Sequence, residues 1–155
     1  MRLITLLAFL VSIPTQAAYL KFGGSIGNSV TFGTKFLAIG HQDHLLSLLD
    51  YQLESGYILD NEFPGLYRAL YVSIAPGFSI VKTDYYLKVF CGPALISNTD
   101  VHLSSIFEIA TDIELGLRDI RGLDLGVGYK HMSNAGLVPP NLGRDFLYFK
   151  ININL

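Results

Sequence analysis

Apolar and polar side chains alternate with a period of two through most of this chain, and that pattern constrains it to β-strands. Near the C-terminus Leu147, Phe149, Ile151, Ile153 and Leu155 alternate with Phe146, Tyr148, Lys150, Asn152 and Asn154. Successive strand side chains point to opposite faces, so one face here is wholly apolar and the other, Phe146 aside, carries polar groups. Leu123, Leu125, Val127 and Tyr129 alternate in the same way with Asp124, Gly126, Gly128 and Lys130. Earlier segments repeat the pattern: Phe107 to Arg118, Tyr85 to Leu95, Leu70 to Ile80 and Leu49 to Tyr57. Two weaker stretches, 19–27 and 30–39, bring the expected strands to eight. Turn residues separate most of them, among them Pro64-Gly65, Lys82-Thr83-Asp84, Ser97-Asn98-Thr99-Asp100, Arg121-Gly122 and Pro139-Pro140-Asn141. Pro76 and Pro93 fall inside strand segments, where each removes a ladder hydrogen bond unless a bulge absorbs it.

Which face is wet decides between a soluble sandwich and a membrane barrel. The second face carries Asp, Glu, Lys, Gln and Asn together with Gly and Ala, while the first is a continuous Leu/Ile/Val/Phe band. Eight strands enclose an interior just wide enough for side chains. A polar, paired interior inside an apolar outer band fits an all-β fold, an eight-stranded antiparallel transmembrane β-barrel. The inward-facing Glu108, Asp112, Glu114, Arg118, Lys88 and Lys130 are expected to form that paired interior.

The N-terminus agrees with export. Met1-Arg2 is a short positive start, Leu3 to Ile13 is apolar, and Pro14-Thr15-Gln16-Ala17-Ala18 supplies a break and small residues for cleavage. The run is too short for a transmembrane helix, which needs about 20 residues. We therefore expect a signal peptide over 1–17 and a single barrel domain over 18–155, placed in a bacterial outer membrane.

Composition removes other classes. A net charge of −2 and no clustered Lys/Arg face give no electrostatic case for nucleic acid. Cys91 is the sole cysteine, which excludes an intramolecular disulfide and a cysteine-based metal site. His41 and His44, with Asp43 between them, are read as a solvated periplasmic turn rather than a metal site, and His102 as a loop residue at the rim.

An even strand number puts both termini on the periplasmic side, so the 134–143 loop opens outside the cell. His131 and Ser133 continue the outward set of Leu123, Leu125, Val127 and Tyr129, and Asp145 continues the outward set ending in Leu155. A His, a Ser and an Asp thus project from adjacent strands onto the greasy face, where polar groups are costly. Same-face neighbours along a strand are about 6.6–6.8 Å apart, which lets His131 reach the Ser133 hydroxyl. Cross-strand neighbours lie within about 4.5–8 Å, which lets Asp145 orient His131. A hydroxyl nucleophile needs such a base, and the base needs an orienter. Spacing alone leaves open a second reading, in which the three residues mark a polar rim at headgroup level.

The surrounding motif favours chemistry. His131-Met132-Ser133-Asn134-Ala135-Gly136, then Pro140-Asn141, then Gly143 and Asp145, resembles the active-site segment of the PagL-type lipid A 3-O-deacylases. Leu147 to Ile151 is similar to the closing strand of that family, and Ser104-Ser105 leading into Phe107-Glu108 is similar to its sixth strand. The likeness is specific over about 104–155 and loose before that. It implies Ser133 as nucleophile, His131 as general base and Asp145 as the acid, where a family member carries the longer glutamate. It also implies Asn134, Asn141 and the Gly136 backbone as candidates for an oxyanion hole. The substrate would be the lipid A of lipopolysaccharide in the surrounding outer-membrane lipid. The chemistry calls for no metal or other cofactor, and a homodimer stays open as an assembly. Two other functions remain: a structural or adhesive barrel without catalysis, against which the short loops argue, and an acyltransferase using the same three residues. The chain departs from common barrel habits in ending on Leu155 and in lacking Trp, so any aromatic girdle must come from Tyr and Phe.

Overall fold

The computed structural model of the chain describes residues 18–26, 34–46, 49–60 and 67–153. Eight strands follow one another: β1 (Ala18–Ser25), β2 (Lys35–Leu46), β3 (Leu49–Asp60), β4 (Tyr67–Val81), β5 (Tyr85–Ile96), β6 (Phe107–Ile120), β7 (Leu123–Ser133) and β8 (Arg144–Ile153). Each pairs antiparallel with the next, and β8 pairs with β1, which closes the barrel and leaves no sheet edge. The connections 82–84 and 121–122 are short, whereas 97–106 and 134–143 are longer and lie at the opposite end. That asymmetry is the one expected of periplasmic turns and extracellular loops. The expected signal peptide lies outside the described residues, as does the Pro64-Gly65 turn.

The alternation read from sequence is the alternation of the wall. Leu37, Ile74, Phe78, Leu95, Ile113, Leu115, Val127, Leu147 and Phe149 are exposed outward, while Lys21, Glu54, Glu114, Lys130 and Lys150 are buried inside. Burying charges is tolerable only when they are paired, and these are. Lys21 Nζ lies 2.8 Å from Glu54 Oε2 and 3.2 Å from Asp112 Oδ1. Lys130 pairs with Glu54 at 2.9 Å and also with Asp112. Lys150 pairs with Glu114 at 2.9 Å. Tyr148 crosses this interior by lying on Gly128, where a Cβ would stand 2.3 Å from the ring.

Four details differ from expectation. First, β2 continues through His41, Gln42, Asp43 and His44, which were expected in a turn. Polar residues there are strand residues because the inside is polar: Gln42 Oε1 accepts from Lys88 at 3.0 Å and Lys150 at 2.8 Å. His41 lies against the Tyr51 ring with centroids 5.9 Å apart. Second, two expected members of the interior network serve the ends instead. Glu108 accepts from Ser105 N–H at 3.1 Å, and Arg118 donates to the Lys82 carbonyl at 2.9 Å. Third, Pro76 and Pro93 cause no bulge. β4 and β5 pair at 71–73 and 77–81 in one unbroken register, and both prolines share the unpaired gap between. Fourth, the extracellular half of the interior is an apolar plug. Phe36, Ile58, Tyr71, Ala94, Leu103, Ala110, Met132 and Phe146 fill it, with Phe36 and Phe146 stacked at 5.2 Å.

Candidate active site

The plug fixes where the functional side chains point. Met132 and Phe146 are fully buried in it. Because strand side chains alternate, anchoring Met132 inside sends His131 and Ser133 outward, and anchoring Phe146 inside sends Asp145 outward. The β7–β8 register aligns His131 directly with Asp145, and the β6–β7 register aligns Ser133 with Ile109.

All three meet on the outer wall just below the extracellular loops. His131 Nδ1 lies 2.7 Å from Asp145 Oδ1, and His131 Nε2 lies 3.0 Å from Ser133 Oγ. An ionised carboxylate only accepts hydrogen bonds, so it selects the tautomer with the proton on Nδ1. Nε2 is then left with a lone pair aimed at the Ser133 hydroxyl, the arrangement a general base needs. The side chains of His131 and Asp145 are 39% and 38% exposed, so the site opens sideways toward the surrounding lipid rather than into the barrel.

Two contacts were not foreseen from the sequence. The Tyr129 hydroxyl also donates to Asp145 Oδ1. Tyr129 precedes His131 by two residues on the same face and reaches Asp145 diagonally across to β8, within range of a long side chain. Its alternation marked it as outward, but nothing distinguished it from a girdle aromatic. Gly143, at φ 68°, backs the histidine: a Cβ there would stand 2.9 Å from His131 Cε1. Tyr129→Phe is expected to lower kcat about three- to tenfold through loss of one charge-assisted hydrogen bond at a half-open site, with KM little changed. Initial rates of ester cleavage check this.

The residues expected as oxyanion donors fall in the 134–143 loop with different commitments. Asn134 is fully buried and organises the loop. Its Nδ2 donates to Ser104 Oγ at 2.8 Å and to the Val138 carbonyl at 2.9 Å, and its Oδ1 accepts from Gly136 N–H at 3.0 Å. Asn141 Oδ1 accepts from the Asn134 backbone N–H at 3.3 Å. Among the described residues no group of three or more His, Cys, Asp or Glu is arranged to hold a metal.

A profile of the lipid A 3-O-deacylase (PagL) family matches residues 8–154. The chain belongs to this family. PagL activity is therefore its activity: it is an outer-membrane enzyme that hydrolyses the ester holding an acyl chain at the 3-position of lipid A. The crystal structure of the outer membrane enzyme PagL is similar in fold, with a TM-score of 0.70 at 23% identity over 90% of this chain and 99% of that one. The Yersinia pestis outer membrane protein Ail, determined in a phospholipid bilayer nanodisc, is more distant, with a TM-score of 0.55 at 9% identity over 89% and 99% of the two chains. At these identities both likenesses show a shared fold alone. No curated protein matches the chain by sequence.

Proposed function

We propose that this PagL-family barrel hydrolyses lipid A through Ser133, with His131 as general base and Asp145 as its orienter. The observation that carries the reading is the unbroken chain Asp145–His131–Ser133, at 2.7 and 3.0 Å, on the wall that faces lipid. Lipid A reaches that wall by lateral diffusion in the outer leaflet and need not leave the membrane. Ser133 Oγ attacks the ester carbonyl carbon at the 3-position while its proton passes to His131 Nε2. The tetrahedral oxyanion collapses, the C–O bond to the sugar breaks, and His131 returns the proton to the departing sugar oxygen. A water then gives a proton to His131 and attacks the acyl-enzyme, releasing the fatty acid and restoring Ser133. Asp145 stays ionised and supports the imidazolium in both halves.

The oxyanion needs donors already in place. The Asn141 side-chain amide is the donor with hydrogens to offer, while the Gly136 N–H becomes available only if Asn134 Oδ1 releases it. The mature enzyme is the barrel of 18–155 after removal of 1–17 as a signal peptide.

Hydrolysis and acyl transfer are separated by the fate of the acyl group. In water enriched in heavy oxygen, the released hydroxy fatty acid is expected to carry one solvent oxygen in its carboxyl group. The acyl chain recovered on a second lipid instead of as free acid would overturn the hydrolytic second step in favour of transfer. Unlabelled free acid would overturn the acyl-enzyme itself, since both ester oxygens would then have left with the chain.

A further inference from the structure

Arg144 immediately precedes Asp145 in the chain, yet it points the other way, into the barrel mouth, and is 4% exposed. Its Nη1 donates to Thr34 Oγ1 at 2.9 Å and to Asp60 Oδ2 at 3.1 Å, and its Nη2 donates to Asp100 Oδ2. Its Cζ stands 5.0 Å from the centre of the Tyr67 ring. One guanidinium thus ties together the start of β2, the end of β3, the start of β4 and the 97–106 loop. An apolar side chain would also fill a mouth already floored by Phe36 and Phe146, so filling space does not account for a buried charge here.

What the charge does is visible in its neighbours. Gly143 and Asp145, one residue on either side, are the two that hold His131: the first backs its Cε1 and the second accepts from its Nδ1. Asp100, which takes Arg144 on one carboxylate oxygen, accepts from the His102 and Leu103 backbone N–H groups with the other, at 2.9 and 2.8 Å. The His102 carbonyl in turn accepts from Gly143 N–H at 3.0 Å. Arg144, Asp100, His102 and Gly143 therefore form a closed circuit that returns to Arg144 through one peptide bond.

We propose that Arg144 is a positioning residue for ester hydrolysis: anchored by Asp100, it fixes the first residues of β8 so that Gly143 and Asp145 hold the His131 ring against Ser133. The inference rests on Ser133 being the nucleophile. A forked guanidinium can engage three acceptors at once, and orientation of this kind matters because a displacement of about 1 Å in a reacting group can cost about a hundredfold in rate.

The test uses a small alkyl fluorophosphonate, which reads serine reactivity without lipid recognition: Ser133 Oγ bonds to phosphorus, fluoride leaves, and His131 takes the proton. Native barrel should be labelled on Ser133, and Ser133→Ala should not. Arg144→Gln, folded as judged by its gel shift on boiling, is expected to be labelled about ten- to a hundredfold more slowly, with kcat reduced and KM for lipid A little changed. Arg144→Lys should recover part of the rate. Asp100→Asn, which leaves Arg144 its Thr34 and Asp60 partners, should slow labelling as well, and it carries the same expectation if Arg144→Gln does not fold. Arg118→Gln removes an arginine hydrogen bond at the periplasmic end and should be labelled at the native rate. Folded Arg144→Gln or Asp100→Asn labelled within about twofold of native would overturn the positioning role, as would equal slowing in Arg118→Gln. Labelling that persists in Ser133→Ala would instead overturn the nucleophile assignment and the inference built on it.

Discussion

Replacing Ser133 with alanine is expected to lower the rate of 3-O-deacylation by on the order of 10⁴-fold or more, with the barrel folded and inserted as before. The hydroxyl lies on the outer wall, so its loss opens no cavity in the plug and unpairs no interior charge. What disappears is the atom that forms the acyl-enzyme, and water held by His131 is a poor substitute because it lacks the fixed approach to the carbonyl. Residues that act as a unit lose activity non-additively. Ser133→Ala combined with His131→Ala should therefore be hardly slower than either alone. A double variant that multiplies the two losses would mean that His131 acts on something other than Ser133. Steady-state release of hydroxy fatty acid from detergent-dispersed lipid A, together with the gel shift on boiling, measures both quantities.

The second large effect is expected at Asp145. Asp145→Asn keeps the shape of the side chain but removes the charge and offers an amide that can donate to Nδ1. The histidine can then carry its proton on Nε2, where it faces Ser133 as a donor and cannot accept. In a serine protease the same change costs about 10⁴-fold in kcat, and a loss of about 10³- to 10⁴-fold is expected here, reduced somewhat because Asp145 is 38% exposed and water can replace part of its role. Asp145→Glu keeps the charge and adds one methylene. The half-open site leaves room for a longer rotamer, so that variant should keep most of the activity. The ordering is diagnostic. If asparagine and glutamate at this position were equally active, the carboxylate would be a rim group and not the orienter of His131.

Much of this arrangement is legible in the sequence, for a physical reason. A membrane barrel must put apolar side chains outward in every strand, so its parity is strict. A His, a Ser and an Asp on the outward parity of β7 and β8 therefore stand out without any coordinates. The parts that were not legible depend on three-dimensional neighbours. The polar run from His41 to His44 reads as a turn only if polar means solvated, and in this barrel Gln42 is solvated by Lys88 and Lys150. The plug of Phe36, Tyr71, Met132 and Phe146 is assembled from isolated inward apolar residues on separate strands, each of which looks like an exception to the alternation. Tyr129 has the parity of any outward aromatic, and only the diagonal across to Asp145 sets it apart. Gly143 was visible as a motif glycine, but its reason, the His131 ring behind it, depends on the fold of the loop. Asn134 was visible too, and its buried hydrogen bonds to Ser104 and Val138 show why an asparagine serves at that loop position.

The most direct measurement is mass spectrometry of lipid A from cells that lack a deacylase of their own and express either the native chain or Ser133→Ala, with both barrels verified in the outer membrane. The account predicts that lipid A from cells with the native chain loses the mass of one hydroxyacyl chain, from the 3-position, and that lipid A from the Ser133→Ala cells retains it. Loss of the same chain in both would contradict the assignment of the reaction to Ser133 on the outer wall.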